Sequence, residues 1–135
     1  MPPASPRDLM RAGEQRLTAA EELFRAKQTL DAQYLGGYMI ECALKALILH
    51  RTPEAERAEQ IKRITSGAAM HRPEVLIEEV RKLGERLPLD LVKRVRRSGW
   101  TTDLRYETGK RDTGETAWFL KTVKAVAVWA EEKLT

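Results

Sequence analysis

The sequence predicts an all-α fold, an antiparallel up-and-down bundle of four main helices with one or two short helices. Apolar residues recur at helical spacing in four long stretches. Strand signals are nearly absent, and no Asn-Gly or Asp-Gly hairpin turn occurs. With 135 residues, 42% of them hydrophobic and 33% charged, the chain has the size and composition of one globular domain. We expect a single domain over residues 1–135, with residues 1–4 flexible.

The first helix is predicted to begin at Ser5-Pro6, where a capping residue precedes a proline at the first helical position. It extends to about residue 27. Its apolar residues are spaced to form one buried face, and they are Leu9, Ala12, Leu17, Ala20, Leu23 and Phe24.

The second helix, over about residues 30–50, is apolar on almost every side. Such a helix belongs at the centre of a bundle, with neighbours around it. Two consecutive glycines, Gly36 and Gly37, lie in its interior, where each costs about 1 kcal/mol relative to alanine. We expect that another helix approaches closely there, either from this chain or from a second copy.

The remaining elements follow from their start and stop residues. Thr52-Pro53 opens a charged segment to about residue 64, which is either a short exposed helix or partly mobile. Arg72-Pro73 opens a helix to about residue 83. A shorter helix over residues 89–97 ends at Ser98-Gly99. Residues 100–114 are predicted to form a polar loop. The last helix begins near residues 113–115 and runs to the end.

The positive charge is concentrated in one segment. The net charge is +4, and the segment from Lys93 to Arg111 alone contains seven basic and two acidic residues. Trp100 and Tyr106 lie within it. A basic segment with interspersed aromatic residues is typical of a surface that binds nucleic acid or a nucleotide. The alternative is a solvated helix face followed by a loop that forms salt bridges with acidic helices.

Composition and motifs exclude several functional classes. One cysteine, Cys42, rules out a disulfide framework and a cysteine-based zinc site, and its apolar helix makes it a core residue. The sequence contains no apolar run of the length that spans a membrane, about 18 residues, and no secretory signal. We therefore expect a soluble cytoplasmic protein without a metal or cofactor.

Catalytic signatures are missing as well. A Gly-rich phosphate loop and the HExxH, CxxC and GxSxG motifs are all absent. The two histidines, His50 and His71, lie near helix ends, where histidine commonly caps the helix or is solvated. The residues alone assign no catalytic group.

Glu41 and Lys45 are the charged residues of the central helix past Asp31. A charge at such a position must be paired or face a cleft. One interpretation is an intrahelical pair at the edge of the bundle. The other is a polar cleft in which Glu41 holds a cation from the 100–114 loop, and Arg105 is the obvious candidate.

Two stretches together carry a family resemblance. The first runs from Tyr34 through Glu41-Cys-Ala-Leu-Lys45-Ala, and the second is Trp100-Thr-Thr-Asp-Leu-Arg105-Tyr106, followed by a polar loop and an apolar final helix. Their order and spacing resemble the HEPN domain family (higher eukaryotes and prokaryotes nucleotide-binding). The resemblance covers the chain from about residue 8 to its end.

The resemblance implies an antiparallel helical bundle that usually dimerises. Family members include RNA-cleaving toxins, partners of small nucleotidyltransferases and non-catalytic binding domains. The nucleases carry an arginine followed, after four to six residues, by a histidine. In this chain, no arginine stands at the positions that the motif requires. Those positions hold Ala43, Leu44 and Lys45 before His50, and Ile64, Thr65 and Ser66 before His71. No histidine follows Arg105.

The sequence therefore predicts a homodimeric, non-nucleolytic HEPN-type module that binds a nucleotide, RNA or a protein partner, in a toxin-antitoxin or nucleotidyltransferase-associated system. One alternative is an RNA-cleaving toxin that uses Arg105, Tyr106 and Glu41 without a histidine. The other is the interaction subunit of a small nucleotidyltransferase. The candidate binding residues are Lys45, Lys93, Arg94, Arg96, Arg97, Trp100, Arg105, Tyr106, Lys110 and Arg111, with Glu41 and Arg105 expected in a structural polar cleft.

Overall fold

A computed structural model of the chain describes residues 3–135, which form an all-α bundle without a strand. The predicted fold class is confirmed. Of the expected flexible residues 1–4, the first two lie outside the described part. The six helices are α1 (Pro6–Arg25), α2 (Thr29–His50), α3 (Arg57–Ile64), α4 (Pro73–Lys82), α5 (Leu89–Ser98) and α6 (Thr113–Leu134).

Helix α1 begins where its capping residue predicts. The Ser5 hydroxyl accepts a hydrogen bond from the Asp8 amide at 3.1 Å, and Pro6 is the first helical residue. The helix ends at Arg25, slightly earlier than expected. The chain reverses there because Lys27 adopts a left-handed conformation with φ of 64°, and the amide of Gln28 donates to the Leu23 carbonyl at 2.8 Å. The tight turn returns α2 antiparallel to α1.

Helix α2 is the central helix, as its sequence predicts. Sixteen of its 22 residues are buried. It packs along α1 on one side and against α6 and α4 on others, so that most of its apolar residues are buried within a single copy of the chain. The buried hydrophobic residues of all the long helices join in one cluster around it.

The segment between α2 and α4 is helical for most of its length. A 3-10 turn over Glu54–Glu56 leads into α3, and a second turn over Ala68–His71 precedes α4. The expected short exposed helix is therefore found, since α3 buries only Ile64.

The predicted polar loop before α6 is held in place by a buried side chain and by hydrogen bonds. It contains a 3-10 turn over Thr102–Tyr106, within which Leu104 is buried. Farther along, the amide of Arg111 donates to the Thr29 hydroxyl at 2.8 Å, at the first residue of α2. Asp112 then caps α6 by accepting from the Glu115 amide at 2.8 Å.

Helix α5 lies against α6 and runs in the opposite direction. Arg97, near the end of α5, lies over the ring of Trp118, near the start of α6. Glu85, just before α5, lies 4.0 Å from Lys133 near the end of α6. Within residues 3–135, no helix has the length and hydropathy that a membrane span requires.

Candidate functional site

The charged residues of the central helix form a buried ion pair. Lys45 Nζ donates to Glu41 Oε2 at 3.0 Å, and the two side chains are 4% and 7% exposed. This is the intrahelical pair that was one of the two interpretations of the sequence. Charges this deep persist only when they are neutralised and hydrogen-bonded, so each residue here depends on the other.

A histidine from a different element completes this cluster. His71, in the turn before α4, places its Nδ1 atom 3.2 Å from both carboxylate oxygens of Glu41. A carboxylate that already accepts from Lys45 can only accept again, so the ring proton resides on Nδ1.

The Glu41, Lys45 and His71 cluster forms part of the wall of a cleft of about 570 Å³. The cleft lies between α1, α2 and the segment that connects α3 to α4. Its other described lining residues are Pro3, Ala4, Asp8, Leu9, Ala12, Cys42 and Thr65. The carboxylates of Asp8 and Glu41 face one lysine, Lys45, so these three side chains give the cleft no surplus of positive charge for a phosphate.

Cys42 differs from its predicted role. It is half-buried and lines this cleft, whereas we expected a residue deep in the core. Burial, with a smaller contribution from the nearby Glu41 charge, raises the pKa of its thiol to about 11. The thiol is therefore protonated and unreactive at neutral pH.

The expected pairing of Glu41 with Arg105 is wrong. Glu41 is paired with Lys45 and His71, whereas Arg105 is exposed and stacks over Tyr106, with its guanidinium carbon 4.8 Å from the ring centre. Its contact with Tyr106 raises the pKa of Arg105 further. His71 was not predicted as a partner because its approach to Glu41 depends on the path of the α3–α4 connection. The sequence indicated only that a buried Glu41 needs polar or charged partners.

Two predicted binding residues are unavailable to a ligand. Trp100 is 3% exposed, and its Nε1 donates to the Gln33 carbonyl at 3.0 Å, so it is a packing residue and cannot stack on a base. Lys45 is neutralised by Glu41, so it cannot serve as a free phosphate contact.

The remaining basic residues among the candidate binding residues differ in whether they form an ion pair. Arg94 pairs with Asp90 at 3.3 Å, and Arg111 pairs with Glu107 at 2.6 Å. Within residues 3–135, the other five basic residues of the Lys93–Arg111 segment have no carboxylate at ion-pair distance, and all are exposed: Lys93, Arg96, Arg97, Arg105 and Lys110. We call these five the free cations.

Three of the free cations share one helix face. Lys93, Arg96 and Arg97 are exposed on α5, whereas Leu91 and Val95 on its opposite side are buried. Tyr106, beside Arg105 in the following turn, is 74% exposed. Exposed basic side chains and an exposed aromatic ring therefore lie on α5 and in the turn that follows it.

Comparison with known proteins identifies the family. The fold is a helical bundle with a polar cluster on its central helix and a basic surface before its last helix. The sequence model of the HEPN domain matches residues 6–133, so the chain belongs to the HEPN domain family. No curated protein and no solved structure shows significant similarity to it. Membership relates the chain to nucleotide- and RNA-related function, and domains of this family often dimerise.

Proposed function

We propose that this protein is a non-nucleolytic, dimeric HEPN-type module that binds the phosphates of RNA or of a nucleotide through the free cations. The observation that carries the proposal is that these five exposed basic residues have no acidic partner among the described residues. Unpaired arginines and lysines on one surface supply the charge that phosphate binding requires.

Basic residues elsewhere in the fold are mostly engaged. Arg7 bonds to Glu131 at 2.8 Å, Arg63 to Glu79 at 3.1 Å, and Lys124 to Glu21 at 3.0 Å. A carboxylate partner must be displaced before such a residue can contact a phosphate. The free cations bear no such cost, which favours α5 and the loop after it as the phosphate-binding surface.

The non-nucleolytic part of the proposal rests on the histidines. No arginine precedes His50 or His71 with four to six residues between them, and the segment that contains Arg105 has no histidine after it. The arginine that would hold the scissile phosphate beside an imidazole is therefore missing from the sequence pattern.

Incubation of the purified protein with fluorescently labelled single-stranded RNA tests both parts. We expect a complex that is lost at high salt, from which the RNA is recovered at full length. Cleavage that copurifies with the protein and disappears in Arg105→Ala would contradict the proposal and support the toxin alternative.

The contact between His71 and Glu41 favours a second candidate, a hydrolytic site in the cleft. A carboxylate that orients a neutral imidazole through Nδ1 leaves Nε2 as a general base, an arrangement that many hydrolases use. In this case RNA cleavage would be lost in His71→Ala and retained in Arg105→Ala. The pair of variants thus separates the two sources of a cleavage activity.

The interaction-subunit alternative concerns the partner. A small nucleotidyltransferase encoded beside this chain would favour it, and co-expression followed by gel filtration would test it directly. A stable complex that covers the free cations would compete with RNA for the same surface.

A further inference from the structure

A recess separate from the Glu41 cluster lies where the end of α5 meets the start of α6. It has a volume of about 480 Å³ and is lined by Arg97, Glu115 and Trp118. The guanidinium carbon of Arg97 lies 5.4 Å from the centre of the Trp118 ring. Glu115 and Trp118 are three residues apart on α6, so they lie on the same face of the helix. We call this the Trp118 recess.

The charges in the Trp118 recess are not neutralised. Arg97 and Glu115 line the same recess, yet neither forms a salt bridge with the other or with any described residue. On the same helix, by contrast, Arg94 pairs with Asp90 at 3.3 Å. The recess therefore offers a cation, an anion and an aromatic ring side by side to a ligand.

We propose that the Trp118 recess binds a nucleobase and prefers guanine. An indole supplies a plane for stacking, which every base can use. A carboxylate accepts hydrogen bonds, and guanine presents two adjacent donors, N1–H and the N2 amino group. An arginine donates two hydrogen bonds, and guanine presents two matching acceptors, O6 and N7. Adenine, cytosine and uracil lack the pair of adjacent donors.

This inference rests on the proposed function and assigns separate roles within the same surface. Glu115 repels phosphate, so the sugar-phosphate chain lies toward Lys93 and Arg96, and Arg97 serves the base. Stacking of a base on an aromatic ring is stronger than an exposed cation–π contact. A base that enters the recess can therefore displace Arg97 from the indole and engage its donors.

The test measures binding of labelled oligouridine that carries one central guanosine, against the same oligomer with uridine or inosine at that position. We expect guanosine to bind about tenfold more tightly than uridine, the size of one bidentate base contact. Inosine retains O6, N7 and N1–H but lacks the amino group, so it should fall between them. Equal binding of all three would overturn the proposal.

Variants assign the preference to the recess. Glu115→Gln should reduce the preference for guanosine to near unity without weakening oligouridine binding, since a negative charge is removed. Glu132→Gln makes the same charge change at an exposed position near the other end of α6 and should retain the preference. Trp118→Leu should weaken binding of every oligomer about tenfold, provided that circular dichroism shows wild-type helicity and melting.

The outcomes separate this inference from the proposed function. If no oligomer binds, both fail. If all bind equally and the affinity depends on Lys93 and Arg96 but not on Glu115, the phosphate-binding surface stands and the guanine site is overturned. If the Trp118→Leu change alters only the oligomeric state, the recess is an interface between copies of the chain, and the base site is likewise overturned.

Discussion

The indole of Trp100 occupies the space that a side chain at position 37 would fill. A Cβ atom on Gly37 would overlap the indole ring, at its Cε2 and Nε1 atoms. The same Nε1 donates to the carbonyls of Gln33 at 3.0 Å and Tyr34 at 3.2 Å. The residue that fastens the basic segment to the central helix is therefore Trp100, and Gly37 makes the contact possible.

Gly37→Ala should destabilise the fold. Alanine is the better helix former by about 1 kcal/mol, but the rigid indole must move out of a packed site, which costs about 1–3 kcal/mol or more. We expect a net loss in the free energy of unfolding, measured by urea denaturation. The basic segment should also become more accessible to trypsin.

Gly36→Ala is the matched control, one residue away in the same helix. Its Cβ would lie 2.8 Å from Cδ2 of Leu120, the end of a flexible side chain that can rotate away. It should therefore cost less than Gly37→Ala. A Gly37→Ala protein at least as stable as the wild type would show that Trp100 is not held as described.

Removal of either partner of the Glu41–Lys45 pair should be severe. Both side chains are buried, and an uncompensated buried charge costs about 3–5 kcal/mol. We expect Glu41→Ala and Lys45→Ala each to lose about that much in urea denaturation. The double variant Glu41→Gln/Lys45→Met should recover a large part of the loss, because it leaves no charge behind.

Arg105→Ala provides the contrast. Because Arg105 is exposed and lies over Tyr106, its loss should change stability by no more than about 0.5 kcal/mol. If Arg105→Ala and Glu41→Ala instead destabilise equally and fail to add, Arg105 meets Glu41 in solution, and the position of the loop is incorrect.

Alkylation of Cys42 should depend steeply on pH. Burial raises the pKa of the thiol from 9.0 to about 11, so at pH 8 the folded protein contains about a hundredfold less thiolate than an unfolded chain does. The iodoacetamide rate should rise by about tenfold per pH unit up to pH 11. In denaturant, the midpoint of the profile should move down toward pH 9. Coincident profiles for the folded and unfolded protein would contradict the burial of the thiol.

Light scattering tests the proposed dimer. Gly36, Gly37 and the apolar central helix do not require a second copy, since both glycines and most of the apolar residues of α2 are buried within one chain. The proposal of a dimer therefore depends on membership of the HEPN family, whose domains often dimerise. We expect a species of twice 15.4 kDa at micromolar concentration. A 15.4 kDa species across the concentration range would contradict it.

Local signals in the sequence predict the helices well. Ser5 before Pro6, Pro73, and Gly99 after α5 mark boundaries that the structure reproduces, because capping and the restricted backbone of proline act within a few residues. The apolar pattern likewise predicts α2 as the central helix. A helix that is apolar on all sides can be recognised as buried even when the elements that cover it are not known.

The partners of the polar residues could not be predicted in the same way. The sequence shows that Glu41 needs a cation, but Lys45, Arg105 and His71 all satisfy that requirement chemically. The choice depends on the path of the α3–α4 connection and on the anchoring of the loop by Trp100, both of which are long-range. The same long-range packing removes Trp100 from the candidate binding residues and brings Trp118 next to Arg97.

The central claim is that the free cations contact phosphates, and the salt dependence of single-stranded RNA binding tests it most directly. Each phosphate contact contributes about 0.7 to the slope of log K against log salt concentration. The triple variant Lys93→Gln/Arg96→Gln/Lys110→Gln should therefore have a slope shallower by about 2. The control Arg16→Gln/Lys27→Gln/Lys82→Gln removes the same charge at exposed positions outside the segment and should retain the wild-type slope. Equal slopes for the two triple variants would contradict the account.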